Sequence, residues 1–263
     1  MNRYREQMTC LNNTVQGNKL KIAMLGHKRM PSREGGVEIV VEELAVRMVA
    51  LGHQVTCYNR SGHHVGGKEF DSQKVDSFRG VRLVGVPTIE KKGLAAVSSS
   101  AFGSILAAFG RYDVVHFHAE GPAFMCWLPK LFGKKIFVTI HGLDHRRAKW
   151  GRFARWYIMC GEKNAVRFAD EIIVLSKAVQ EYFRHTYGRE TVCIPNGVDR
   201  PQPREACQIT EDYDLHKDGY ILYLARLVPE KGLVYLVDAF KQVHTDKRLV
   251  IAGGSSDTDV FAM

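Results

Sequence analysis

Apolar and polar positions alternate along this chain in blocks whose lengths switch between those of strands and helices. Lys21–Gly26 (KIAMLG) is an apolar run of strand length, the pattern of a strand buried on both faces. Val37, Val40, Val41, Leu44, Ala45 and Met48 then recur as one helical stripe. Gly52 ends that helix before a further strand at Val55, Cys57 and Tyr58. Such a strand–loop–helix–strand unit closes by right-handed crossover and builds parallel sheet. The alternation continues with strands over 81–86, 113–117, 135–140, 171–175 and 191–194, and helices over 94–109, 122–131, 146–168 and 176–185, the last capped by Ser176. Residues 61–80 read as a polar surface loop. The expectation is a doubly wound α/β domain over 19–198. Pro195-Asn196-Gly197-Val198-Asp199 and the following RPQPRE read as hinge and linker. Another unit then starts, with strand 220–225, loop 226–232, helix 233–243 and strand 248–252. Two strands and one helix bury too little for a core of their own, so the domain over 199–263 reads as incomplete. Residues 1–18 are polar, lack a signal-peptide core and read as a disordered leader.

Candidate chemistry sits in the loops at the carboxyl ends of these strands. Gly35 and Gly36 fall where the first helix begins, so free N–H groups and the helix dipole there favour an anion such as a phosphate. Lys28, Arg29 and Arg33 add positive charge to the same loop. The spacing Gly26…Gly35-Gly36 is not GxGxxG and argues against bound NAD or FAD. In ARLVPEKG (Ala225–Gly232), Arg226 leaves a buried strand at its carboxyl end and Lys231 precedes the next helix. Two cations so placed can clamp a diphosphate from two directions; the plainer reading is two surface cations on a loop.

His116, His118 and Glu120 form an HxHxE run that clusters with His141 at two strand ends. A metal centre would need three ligands, an open position and a base. Gly121-Pro122 breaks the strand, so the pattern favours cleft-lining residues over a metal, with plain structural histidines as the alternative. His63 and His64 read as solvated loop residues. On the helix over 146–168, Trp150, Phe153, Ala154, Tyr157, Gly161, Ala165 and Phe168 form the expected core stripe. The other face carries Arg152, Arg155, Lys163 and Arg167 against one acid, Glu162, with Trp156 among the cations. A basic face bearing an aromatic fits an anionic bilayer surface, and equally fits a solvated helix face.

Composition narrows the partners. The 263 residues carry a net charge of +9, which points to an acidic partner: nucleotide phosphates, anionic lipid or nucleic acid. No nucleic-acid-binding signature accompanies the charge, so nucleic acid is the weakest of the three. No apolar run approaches the ~18–20 residues that span a bilayer. The six cysteines show no metal spacing and fit reduced thiols of the cytoplasm.

Taken together, MLGHKRMPSREGGVEIVVEELA, DVVHFHAEGP, TIHGLDHRRAKWGRF, VLSKAVQEYF, IPNGVD and ARLVPEKG resemble, in order, a family 4 glycosyltransferase of the GT-B fold. Such proteins have two Rossmann-like doubly wound domains facing a cleft; in this chain the C-terminal one reads as truncated. The opening segment and TIHGLDHRRAKWG most resemble bacterial rhamnosyltransferase-like enzymes of capsule, O-antigen and exopolysaccharide synthesis. The resemblance implies retaining transfer from a nucleotide-diphosphate sugar to a hydroxyl of a lipid-linked saccharide, with no metal or other cofactor. It implies a cytoplasmic enzyme, peripheral at the inner face of the membrane. It places Arg226 and Lys231 on the donor diphosphate, with Gly35 and Gly36 near the same phosphates. His118 falls near the transferred sugar, with Arg226 and Lys231 counted beside it as catalytic. His116, Glu120, His141 and Asn196 fall on the cleft. The family's paired glutamates, which lie late in the C-terminal domain, are not reached by Met263. Two rivals stand beside this reading: a GT-B nucleotide-sugar epimerase, and a non-catalytic domain that binds an acceptor or a partner.

Overall fold

Strand β1 (Lys21–Leu25) is the centre of the sheet and is buried on both faces. Its side chains alternate between two cores, as the period of a strand requires. Ile22 and Met24 pack with Val41 and Ala45 of helix α1 (Gly36–Ala50), while Ala23 and Leu25 pack with Val115, Phe117 and Ala165. The computed structural model describes residues 19–32, 35–61, 75–91, 93–147, 150–198, 200, 202 and 205–254. The expected leader 1–18, Arg33, the loop histidines His63 and His64, and Asp199 lie outside the described residues. The chain divides into two compact units between Gly197 and Val198.

Unit 1 continues with β2 (Gln54–Arg60), β3 (Ser77–Phe78), β4 (Val81–Val86), α2 (Leu94–Phe109), β5 (Val114–His118), α3 (Glu120–Ala123), α4 (Trp127–Leu131), β6 (Lys135–Ile140), α5 (Arg152–Phe168), β7 (Glu171–Val174), α6 (Lys177–Tyr187) and β8 (Val192–Cys193). The sheet order is β3-β4-β2-β1-β5-β6-β7-β8, with β3–β4 the one antiparallel pair among the described residues. The chain leaves β1 towards β2 on one side and later returns to β5 on the other. The β1/β5 boundary is therefore a topological switch point, where open α/β sheets bind ligands at the carboxyl ends of their strands.

Several local expectations change. The end of the expected 61–80 loop forms β3, joined to β4 by a two-residue turn in which Arg79 (φ 48) and Gly80 (φ 85) are both left-handed, as in a type I′ hairpin. The helix expected over 122–131 is two short pieces. Pro129 can occupy a first turn but cannot continue a helix from residue 125, because it has no N–H and its ring meets that carbonyl. The helix expected from 146 begins at Arg152, after Gly151 in extended conformation, and a 3₁₀ turn occupies Asp144–Arg146.

Unit 2 contains α7 (Gln208–Tyr213), which the sequence pattern did not suggest, then β9 (Tyr220–Leu224), α8 (Leu233–Phe240) and β10 (Arg248–Ala252). β9 and β10 pair in parallel as a two-stranded sheet. Among its described residues only Val228 is a buried apolar side chain, while Leu224 (74% exposed) and Tyr235 (80%) lie open. This matches the small core expected of one crossover unit.

Candidate functional site

The loop after β1 is clamped from two sides. Asn59, at the end of β2, accepts from His27 Nε2 (3.0 Å) and from Met30 N–H (3.0 Å), and donates from Nδ2 to Met30 O (2.8 Å). From α1, the buried Glu38 accepts from Lys28 N–H (3.1 Å). Gly26 (φ +106) lies directly on β5: a Cβ there would be 2.1 Å from His118 O. The β1 and β5 ends are thus in backbone contact at the switch point. Neither Asn59 nor Glu38 stood out in the sequence. Glu38 is the acid in the first turn of α1, and it is buried because it satisfies the loop instead of facing water.

Gly35 is extended and caps α1 without a side chain, so the first N–H groups of the helix have no capping partner from its N-cap residue. A Cβ on Gly36 would meet nothing within 4 Å. The fold does not require glycine there, and the backbone is open to close approach. Glu38 tempers this: its carboxylate lies beside Gly35 and contributes negative charge to the same helix end.

Four histidines gather at the carboxyl ends of β1, β5 and β6. His116 Nε2 bonds Thr139 Oγ1 (2.8 Å), and His118 Nδ1 shares a hydrogen bond with His141 Nε2 (3.1 Å). The His116 and His118 rings are 4.2 Å apart. Burial pushes His116 down to about 4, with His141 adding to it. Burial, then the neighbouring histidines, holds His118 well below the ordinary value, and burial lowers His141 as well. The cluster is neutral near pH 7, and the buried His118 Nε2 has no hydrogen-bond partner among the described residues. A neutral imidazole with one open nitrogen can hydrogen-bond a hydroxyl but supplies no positive charge. Immediately after it, Ala119 holds φ 78, an uncommon conformation for a residue with a Cβ.

His27 gives this loop an acid limit. Burial pushes its pKa from 6.5 down to about 4, against a smaller upward effect of Asn59. The unfolded chain therefore takes up this proton first, and stability falls as pH drops from 6.5 towards 4. The full shift corresponds to about 3 kcal/mol. A His27→Gln variant should show a flatter fall of urea midpoint across that window than the wild type; parallel curves would mean that His27 is charged in the native state.

Glu120 departs from its expected place. It is fully buried, and instead of lining a cleft with His116 and His118 its carboxylate turns to the β6–α5 connection, where Oε2 accepts from Asp144 N–H (2.8 Å). His116 is also buried, and Asn196 is exposed. Glu162, expected among the cations of α5, is fully buried too and accepts from Tyr182 OH (2.8 Å) and Tyr187 OH (2.5 Å). Burial, then Glu162, raises the Glu120 carboxyl far above the usual range. Gly161 explains the closeness: its Cβ would be 2.0 Å from Glu120 O.

With Glu162 inside, the outer face of α5 bears no acid. Arg152, Arg155, Lys163 and Arg167 are exposed, and so is Trp156 (55%). Phe153, expected in the core, is 74% exposed and stacks against Trp156 with ring centres 5.7 Å apart. No described helix is long and apolar enough to cross a membrane.

In unit 2, Arg226 follows β9 at its carboxyl end, and Lys231 closes a 3₁₀ turn (Pro229–Lys231) just before α8. Both are exposed, and neither has an ion-pair partner among the described residues. The turn is fixed by backbone contacts: Leu227 N–H donates to Gly254 O (3.0 Å), Tyr223 OH donates to Lys231 O (3.1 Å), and a Cβ on Gly253 would be 1.8 Å from Ala225 O. Unit 2 thus repeats the device of Gly26 and His118, a glycine after one strand seated on the carbonyl that follows its neighbour.

A concave region lined by Lys21, His53, Arg82, Arg111 and Tyr112 lies at the amino ends of the strands, the edge opposite the switch point. The chemistry-bearing residues converge at the carboxyl edge instead.

Comparison with known proteins agrees with this layout. The profile of Glycosyltransferase Family 4 matches residues 34–201. The chain belongs to Glycosyltransferase Family 4. This family 4 chain is 26% identical over 241 residues to the GDP-mannose-dependent alpha-(1-6)-phosphatidylinositol monomannoside mannosyltransferase of Mycolicibacterium smegmatis, covering 85% of the chain and 58% of that protein. It is 23% identical over 155 residues to the GDP-mannose:cellobiosyl-diphosphopolyprenol alpha-mannosyltransferase of Komagataeibacter xylinus, covering 58% of the chain and 39% of that protein. The chain therefore spans little more than half the length of the former relative and less of the latter. Among solved structures it resembles sucrose-phosphate synthase from Thermosynechococcus elongatus, with a TM-score of 0.67 at 20% identity over 91% of this chain and 63% of that one. That likeness shows the fold, the Rossmann-like α/β architecture of GT-B glycosyltransferases.

Proposed function

We propose that the full-length protein is a retaining glycosyltransferase that moves a sugar from a nucleotide-diphosphate donor to a hydroxyl of a lipid-linked saccharide in cell-surface polysaccharide synthesis. The observation that carries this reading is the family 4 match over 34–201, on a sheet whose switch point seats Gly26 on the backbone of the buried His118. In unit 2, Arg226 and Lys231 bind the donor diphosphate, whose charge grows as the sugar leaves; fixed cations aimed there lower the barrier. In unit 1, the uncapped start of α1 at Gly35–Gly36 offers N–H groups to phosphate. His118 is the residue nearest the transferred sugar and the acceptor hydroxyl, with His141 orienting its ring. The leaving phosphate takes the acceptor proton on the same face, so that no metal is needed for the transfer itself. The relatives named above use GDP-mannose, and one takes a diphosphopolyprenol-linked acceptor, which supports this donor and acceptor class. The rhamnosyltransferase-like assignment rests on the opening segment and TIHGLDHRRAKWG.

The experiment is a screen of nucleotide sugars against the full-length protein, measuring nucleotide release with and without a lipid-linked acceptor. Release that requires acceptor is expected. Conversion of donor alone would indicate an epimerase, and binding without turnover a non-catalytic domain.

The outer face of α5 gives the enzyme its membrane contact. Four cations, Phe153 and Trp156 with no acid among them suit an anionic leaflet, where each basic residue contributes about 1 kcal/mol. A Trp156→Ser/Arg152→Glu variant should bind phosphatidylglycerol-containing vesicles roughly tenfold more weakly than wild type in a sedimentation assay. Equal binding would make this an ordinary solvated face.

A further inference from the structure

Three ligand atoms converge in the interior of unit 1. They are Glu120 Oε1 at the start of α3, His145 Nδ1 in the 3₁₀ turn, and Glu162 Oε2 on α5, all within 4.8 Å of one another. Both carboxylates are fully buried. His145 Nδ1 lies 3.2 Å from Glu162 Oε2 and 3.8 Å from Glu120 Oε1, ion-pair contacts when the imidazole is protonated, and none of the three atoms has a hydrogen-bond partner outside the cluster among the described residues. We propose that this cluster is a structural site for a divalent transition-metal ion, with Glu120, His145 and Glu162 as its protein ligands.

The spacing fits. Ligands about 2.1 Å from a common ion stand roughly 3.0–3.4 Å apart at octahedral or tetrahedral angles; the His145 separations of 3.2 and 3.8 Å are near this, and the two carboxylates, within 4.8 Å of each other, would draw together on the ion. The surroundings fit as well. In each carboxylate the other oxygen is already held: Glu120 Oε2 by Asp144 N–H, Glu162 Oε1 by the hydroxyls of Tyr182 and Tyr187. Outer partners of this kind orient ligating oxygens in metal sites, and here they leave one bare oxygen on each glutamate turned to the same point. The charge fits too. Two buried carboxylates that share a single imidazole as counter-charge are costly, and the raised Glu120 carboxyl reflects that cost. The neighbouring arginines are engaged elsewhere: Arg147 pairs with Asp144 at 3.0 Å, and Arg146 lies over the Tyr182 ring at 4.8 Å. One imidazole nitrogen with two carboxylates favours zinc or manganese over calcium or magnesium, which prefer all-oxygen shells.

The ligand set was hidden in sequence because its members are far apart. The HxHxE run draws the eye to His116 and His118, whereas Glu120 turns away from both. An ion here ties the ends of β5 and β6 to α5. It holds the segment from His141 to His145 that positions His118, and takes no part in sugar transfer.

The test uses the full chain, prepared without a histidine tag. Elemental analysis should find about one zinc or manganese per chain. After chelation, returning either ion at a hundredfold excess over its dissociation constant should raise the melting temperature by on the order of 5–10 °C. His145→Gln and Glu162→Gln should lose both the ion and the shift. X-ray absorption on cobalt-loaded wild type, which requires no variant to fold, should show one imidazole among oxygen ligands. A chain that is metal-free as purified and whose melting temperature neither zinc nor manganese moves would overturn the site and leave a proton shared by the two carboxyls. An undiminished shift in His145→Gln, or a cobalt spectrum without imidazole, would place the ion elsewhere and overturn it equally.

Discussion

Lys231→Ala in the full-length enzyme is expected to lower kcat by roughly 10²–10³-fold while leaving acceptor KM almost unchanged. The reason is where the charge develops. As the sugar departs, the diphosphate gains negative charge, and a cation held by a rigid turn contributes more to that state than to the bound ground state. The turn is rigid in the required sense: Tyr223 OH and the Gly254 carbonyl hold its backbone, and the Lys231 ammonium has no ion pair to break among the described residues. Arg226→Lys should also be impaired, because an ammonium cannot reproduce the two-pronged donation of a guanidinium. Steady-state kinetics with the donor found by the nucleotide screen decide the matter. Near-wild-type turnover in Lys231→Ala would remove the diphosphate site from this turn.

Gly161→Ala should be a damaging single-carbon change in unit 1. Two effects oppose. Alanine in a helix interior is favoured over glycine by about 1 kcal/mol. Against that, the new Cβ would lie 2.0 Å from Glu120 O and 3.1 Å from Phe124 N, both backbone atoms that cannot swing aside. Overpacking against fixed atoms costs about 1–3 kcal/mol or more, so the net is a loss, read as a melting temperature lower by roughly 5 °C. Gly36→Ala is the control: its Cβ would meet nothing within 4 Å, and the melting temperature should not fall. A Gly161→Ala protein as stable as wild type would mean that α5 can move off α3.

How far the chain could be read without coordinates depended on the range of the interactions. Strands such as Lys21–Leu25 and Lys135–Ile140 were legible because burial in the middle of the sheet writes a continuous apolar run. Ser176 was legible as a cap because capping is local; it accepts from Val179 N–H at 3.4 Å. The short strand Ser77–Phe78 was not, since its turn uses Arg79 where asparagine or aspartate would have signalled it. The site divides the same way. His116, His118 and His141 were visible as polar residues at strand ends. Asn59, Glu38, His145 and Glu162 were not, because each is placed by a partner at least ten residues away. Glu162 is the sharpest case. A lone acid among cations on a helix looks solvated, and only Tyr182 and Tyr187, on another helix, show which way it faces.

The paired strands YILYL and RLVIA of unit 2 have a practical corollary. Each has one neighbour among the described residues, and an outer row of amide and carbonyl groups left unpaired would lie beside exposed isoleucine and leucine. Unprotected edges of that composition recruit other chains, and they do so in proportion to concentration. Preparations of this polypeptide are best kept dilute, and clumping on storage should be traced first to this ribbon.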